Sequence, residues 1–237
     1  MPCSARLALL FTPCLLLACE GRSASDSDET GDTGEDGCMP ADAVQFTVVD
    51  DSSLTDDGVV TGTCEVMAAD QDPDDPRRWT LALECLSSVQ IELVMDPPPA
   101  ELPFAVGDVL QAAISDGAEF QLVELEDAEG PLMALLFSSG PAGGMVDQPL
   151  FFDGQFEFEW SPADDCSTTD SSCGEVSQLQ IDANAGGETL GLGPALRYGE
   201  LTGSAGESYG LWIGDSWAGD CGGQASEAFR YAVVALP

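Results

Sequence analysis

The sequence predicts an all-β fold: a single large antiparallel β-sandwich of jelly-roll-like layout, with two immunoglobulin-like sandwiches as the alternative. Three observations carry that expectation. Beyond Asp42, apolar side chains recur at every second residue almost throughout, the spacing that lines one face of a strand. Turn-forming pairs punctuate the alternating segments. No segment carries a convincing helical period.

The elements follow in chain order. Val44, Phe46 and Val48 alternate with Gln45, Thr47 and Val49; Trp79, Leu81, Leu83 and Cys85 alternate with Thr80, Ala82 and Glu84. Val89, Ile91, Leu93 and Met95 alternate with Gln90, Glu92 and Val94. The last two sets share odd parity across Leu86-Ser87-Ser88. A two-residue hairpin would exchange parity, so the join is either a three-residue turn or one bent strand. Further strands are predicted over 59–67, 109–115, 120–125, 132–137, 155–160, 176–183, 209–213 and 229–234. Asp57-Gly58, Asp116-Gly117, Asp153-Gly154, Pro97-Pro98-Pro99 and the glycine-rich 140–144 stretch supply turns between them. No repeat or linker divides residues 44–237, which favours one domain over two.

Charge removes whole classes of function. The 237 residues include 43 Asp plus Glu, six arginines, no lysine and no histidine, a formal net charge of −37. Without lysine there is no Schiff base and no phosphate-loop cation; without histidine the usual general base and metal ligand are missing. Nucleic-acid affinity comes mainly from Lys and Arg displacing counterions, so nucleic acid is excluded as a partner. Hydrophobic residues at 44% are ordinary for a folded chain and too many for a disordered one.

The first residues give an address. Behind Arg6, residues 7–18 (LALLFTPCLLLA) form a mostly apolar run shorter than the ~20 residues that span a bilayer, the pattern of a signal peptide. Its end, Leu16-Leu17-Ala18-Cys19, resembles the lipobox of bacterial lipoproteins, with an aliphatic residue three before the cysteine and a small residue next to it. The resemblance implies that the Cys19 thiol carries a diacylglyceryl group, that the peptide is cut before it, and that the new N-terminus is acylated in turn, commonly with palmitate. Residues 20–37 (EGRSASDSDETGDTGEDG) hold seven carboxylates and four glycines and no large apolar side chain, and so read as a disordered tether with an r.m.s. span of about 23 Å. The expected organisation is signal peptide 1–18, lipidated cysteine and tether 19–37, and β-sandwich domain 38–237. The expected location is the cell envelope, on its periplasmic or outer surface. The outer membrane is favoured, and Glu20 after the lipidated cysteine leaves the inner membrane open.

Six cysteines remain beyond Cys19, an even number in an exported chain, which predicts three disulfides. Cys166 and Cys173 bracket a short Ser/Thr/Asp loop and are expected to pair. Cys64 and Cys85 share inward parity on two adjacent strand patterns and could bridge neighbours. Cys38 and Cys221 are left by elimination.

Motifs that look catalytic are weighed against this background. Gly206-Glu207-Ser208-Tyr209-Gly210 matches G-x-S-x-G, and Gly214-Asp215-Ser216 is similar to the first block of GDS-type esterases. Both need a histidine. Asp32-Thr33-Gly34 resembles an aspartic-protease half-site but lies in the tether without a second copy. Glu157 and Glu159 share one face of the strand Gln155-Phe156-Glu157-Phe158-Glu159-Trp160, and a carboxylate pair suffices for glycoside hydrolysis. The pattern is weakly similar to the E-x-D-x-E strand of jelly-roll glucanases, with Gln155 where the nucleophile belongs; the favoured account is solvent-facing glutamates opposite a Phe/Phe/Trp core stripe. Asp70, Asp72 and Asp74 alternate and offer oxygen ligands for calcium, against the plainer account of a solvated acidic loop. Trp212, flanked by Gly210 and Gly214 on its own face, offers an accessible platform for a sugar or a partner, with Trp217 nearby and Asp215 and Asp220 as rim acceptors. Packing inside the second layer is the favoured account of that indole.

The expected function is thus an envelope-anchored lipoprotein with a non-enzymatic ligand-binding, adhesion or structural role. No cofactor is expected beyond a calcium ion, and the partners are the lipid bilayer through Cys19 and a glycan or another envelope protein. The alternative is a surface carbohydrate-active hydrolase using Glu157 and Glu159.

Overall fold

The computed structural model describes residues 42–49, 59–116, 120–141, 157–170, 174–220 and 225–237. Among them there is no helix, and thirteen strands pair antiparallel in one continuous sheet. They are β1 (Val44–Val49), β2 (Val59–Gln71), β3 (Arg78–Glu84), β4 (Ser88–Met95), β5 (Val109–Asp116), β6 (Phe120–Glu126), β7 (Pro131–Pro141), β8 (Glu157–Asp170), β9 (Gly174–Ala185), β10 (Glu188–Leu192), β11 (Tyr198–Thr202), β12 (Ser208–Asp220) and β13 (Ala225–Ala235). Their order is β1-β4-β3-β2-β5-β6-β7-β13-β12-β9-β10, with β11 on β12 and β8 on β9. The sheet does not close into a barrel.

Parity decides the first hairpin as the sequence allowed. β3 and β4 are joined by the three residues Cys85, Leu86 and Ser87, with Glu84 opposite Ser88, so odd positions stay inward on both strands. Leu86 stands 97% exposed at the tip. The Cys64–Cys85 disulfide ties this tip to β2. Cys38, Cys173 and Cys221 and the side chain of Cys166 lie outside the described residues, as do Cys19 and the whole of 1–41.

The inner faces form two cores around a shared middle layer. Met133 and Leu135 of β7, Ala232 and Val234 of β13 and Trp212 of β12 point into the first, with the apolar faces of β1 to β6. Their chain neighbours Ala134, Leu136, Tyr231, Val233, Leu211 and Ile213 point into the second, with Phe158 of β8, Ile181 of β9 and Leu192 of β10. Consecutive strand residues point to opposite faces, so β7, β13 and β12 are buried on both sides. Each large aliphatic side chain so buried stabilises the fold by roughly 1.5–3 kcal/mol. The result is a pair of sandwiches that share one layer, two inseparable parts of a single sheet.

Two features frame the first core. At its side, β1 leans against β12: Ala43 N–H donates to the Ile213 carbonyl at 3.1 Å, and a side chain at Gly214 would press on the Val44 carbonyl oxygen. At its end, the segment linking β4 to β5 crosses the ends of β3 and β2, burying Leu102 and Phe104 beneath it. That segment is pinned by Gly107 N–H to the Val66 carbonyl, by Val66 N–H to the Asp108 carbonyl, and by the Asp108 carboxylate, which accepts from Ala105 N–H at 2.7 Å.

Candidate functional site

The largest of three described clefts, about 740 Å³, opens where the β4–β5 segment roofs the first core. Its walls are Trp79, Leu102, Phe104, Val106, Leu132 and Leu236, and the charged side chains that reach it are Glu101 and Asp108. Each wall follows from local structure. Trp79 is the first inward residue of β3, Leu132 lies at the start of β7, and Leu236 follows β13 with its N–H bonded to the Ser208 carbonyl at 2.8 Å. Trp79 is 8% exposed, and its indole N–H has no acceptor. Volume and apolar walls are features of a small-molecule site.

A second cleft of about 500 Å³, which Trp79 also lines, lies along β1, β4, β3 and β2. One transverse row of paired residues crosses it: Thr47, Glu92, Thr80 and Asp70. Asp70 and Asp72 therefore share a cleft, but Asp74 does not line it. The Asp72 carboxylate is turned inward on its own loop, accepting from Asp74 N–H at 2.8 Å, and Asp75 binds Arg77 at 2.9 Å and Arg78 at 3.2 Å. The Arg77 guanidinium holds the Asp75 carboxyl down at about 2. The calcium trio Asp70, Asp72 and Asp74 is thus not assembled, and among the described residues no three acidic or thiol side chains stand close enough to hold a cation.

The exposed Trp platform is not formed. Trp212 is 1% exposed: β1 and the Pro97 segment cover it, its N–H donates to the Pro97 carbonyl at 2.8 Å, and Tyr198 packs on its ring at 4.8 Å. The indole does lie over Gly210, where a Cβ would meet the ring at 2.5 Å. Burial and the hydrogen-bonded Glu200 push the Tyr198 phenol up to about 12. Trp217 is half-buried, opposite Gln178 of β9 and Ala228 of β13, and Asp215 is exposed.

Gly214-Asp215-Ser216 turns out to be a bulge in β12, where its register to β13 shifts between Ile213 and Ser216. Arg197 fills it from inside, donating to the Gly214 carbonyl at 2.9 Å, the Ser216 hydroxyl at 3.1 Å and the Gln178 side-chain carbonyl at 2.7 Å. A bulge leaves backbone groups unpaired, and a buried guanidinium supplies the missing donors. Burial lowers the Arg197 pKa, against the pull of Asp42 and Asp215. Burial and Asp215 in turn raise the Asp42 carboxyl, although Arg197 and Arg230 oppose them. Arg230 is held between the rings of Phe137 at 4.5 Å and Phe46 at 5.6 Å. Gly206-Glu207-Ser208-Tyr209-Gly210 lies at the β11–β12 turn and runs into a strand, not a helix.

The Phe/Trp stripe of β8 faces the second core: Phe158 stacks on Tyr231 at 5.1 Å, and Trp160 lies 6.4 Å from Phe229. Glu159 is exposed on the opposite face and stands across from Asp182 of β9. The Glu157 side chain lies outside the described residues, and Glu159 lines none of the three described clefts. Sequence reasoning missed the walls of the larger cleft. The available signal was Leu102, Phe104 and Val106, three apolar side chains in the proline-rich segment between two strands.

No family model matches the chain, and neither a curated protein nor a solved structure matches it.

Proposed function

We propose that the protein is a lipid-anchored, non-enzymatic binding module of the bacterial cell envelope, taking its ligand in the roofed cleft of the first core. The observation that carries this reading is the cleft itself: about 740 Å³, walled by Trp79, Leu102, Phe104 and Leu132. The lipobox-like Leu16-Leu17-Ala18-Cys19 and the acidic 20–37 stretch support the placement. An acylated Cys19 would hold the chain at the membrane, and the tether would carry the cleft clear of the headgroups. The binding role is favoured over the hydrolase because Glu159 is exposed, stands across from Asp182 of β9 and lines none of the three described clefts.

The test is a thermal melt of the full chain with and without an organic extract of the membranes it resides in. A ligand present at a hundred times its Kd adds about 2.7 kcal/mol, which raises the midpoint of a domain this size by roughly 5–10 °C. The wild-type chain shows that rise and Phe104→Asp does not. Equal responses of the two chains contradict the assignment.

A further inference from the structure

The walls of the cleft specify a class of ligand. Resting on the binding role proposed above, we infer that the occupant is an uncharged lipophile. Two features converge on that class.

Most of the lining is apolar, drawn from Trp79, Leu102, Phe104, Val106, Leu132 and Leu236 together with alanines and prolines, so the body of the ligand is apolar. Among the described residues the charged side chains at the cleft are Glu101 and Asp108 and none is basic, and the whole chain carries −37. An anionic headgroup would enter against that field with nothing to pair it. Fatty acids, phosphates and sulfonates are thereby disfavoured. The roof supplies the way in, since Val106 at its bend is 65% exposed and Leu236 opposite is only partly covered.

The test titrates the full chain with two dyes. Nile red is uncharged and carries a carbonyl; 1-anilinonaphthalene-8-sulfonate is apolar and anionic. The wild-type chain binds one Nile red with blue-shifted emission and binds the sulfonate at least tenfold more weakly. Leu236 is partly buried just past the end of β13; Leu236→Asp leaves the strand pairing intact and abolishes Nile red binding. Equal affinity for the two dyes overturns the ligand class while leaving the cleft as a binding site. Absence of saturable binding by either dye, or binding unaffected by Leu236→Asp, overturns the cleft assignment as well.

Discussion

Asp75 and Tyr198 report how local partners set the behaviour of single residues. Asp75 accepts hydrogen bonds from the guanidinium groups of Arg77 and Arg78, and its carboxyl is held at about 2 against an ordinary 3.8. A depressed carboxyl contributes stability that is complete above its unfolded pKa and is lost as pH falls through the folded one. The loop 72–78 therefore tightens fully above about pH 4 and loosens towards pH 2, and an NMR titration of the Asp75 carboxyl should give a midpoint near 2; a midpoint near 3.8 would break the pairing. Tyr198 runs the other way, since its phenol is raised to about 12 by burial first and by Glu200 second. Its contribution is complete below about pH 10 and fades as pH climbs through 12, which ultraviolet difference titration of tyrosinate measures. The residues of the cleft were only partly legible. Trp79 shows in the sequence as an inward strand residue, but no pattern says that its N–H goes without an acceptor, because that depends on which segment crosses the end of β3.

At the scale of the element, the bulge of β12 shows why a motif can mislead. Gly214-Asp215-Ser216 looks like catalytic shorthand in one dimension; in three it is the point where β12 slips register against β13 and Arg197 fills the gap. Arg197→Met removes those donors and leaves the buried Gly214 carbonyl and Gln178 without them, so urea denaturation should show a loss of about 1–3 kcal/mol. Gly210→Ala should cost about 1–3 kcal/mol by pushing a methyl into the Trp212 ring. A neutral result for Gly210→Ala would mean that the indole does not sit where it is described. Most strands were legible because alternation survives wherever one face is solvated, as in β1, β3 and β4. β10 and β11 were not, since five-residue strands with glycine and exposed positions carry too little pattern. β8 ran past its expected end because its second part, through Pro162 and the Ser/Thr/Asp run, is an edge paired only to β9 among the described residues. Charge and proline in such an edge discourage further pairing.

The molecule as a whole is organised by the double burial of β7, β13 and β12. Their continuous apolar runs, Leu132–Phe137 and Tyr231–Val234 among them, mark strands in the sequence, but alternation alone does not say that both faces are covered. The two-core arrangement follows from that coverage. Among the described residues the apolar sheet interior is closed to water on both sides of one layer, and most carboxylates stand outside it, where ions screen the charge of −37 that the chain carries. The Cys64–Cys85 bridge closes a loop with a sequence separation of 21, and its reduction should lower stability by roughly 3 kcal/mol, seen as a drop in the urea midpoint under reductant. The lipobox-like Leu16-Leu17-Ala18-Cys19 is a linear pattern that raises an expectation by itself, whereas the cleft is assembled from residues 79, 102, 104, 132 and 236, which no linear pattern joins.

Native mass spectrometry of the full chain, released from its own membranes in mild detergent, tests the central claim most directly. The predicted spectrum has a polypeptide beginning at Cys19 with its acyl mass, together with one non-covalent neutral adduct that is lost in Phe104→Asp. A chain that begins elsewhere with no lipid mass, and that carries no adduct, would contradict both the anchor and the cleft.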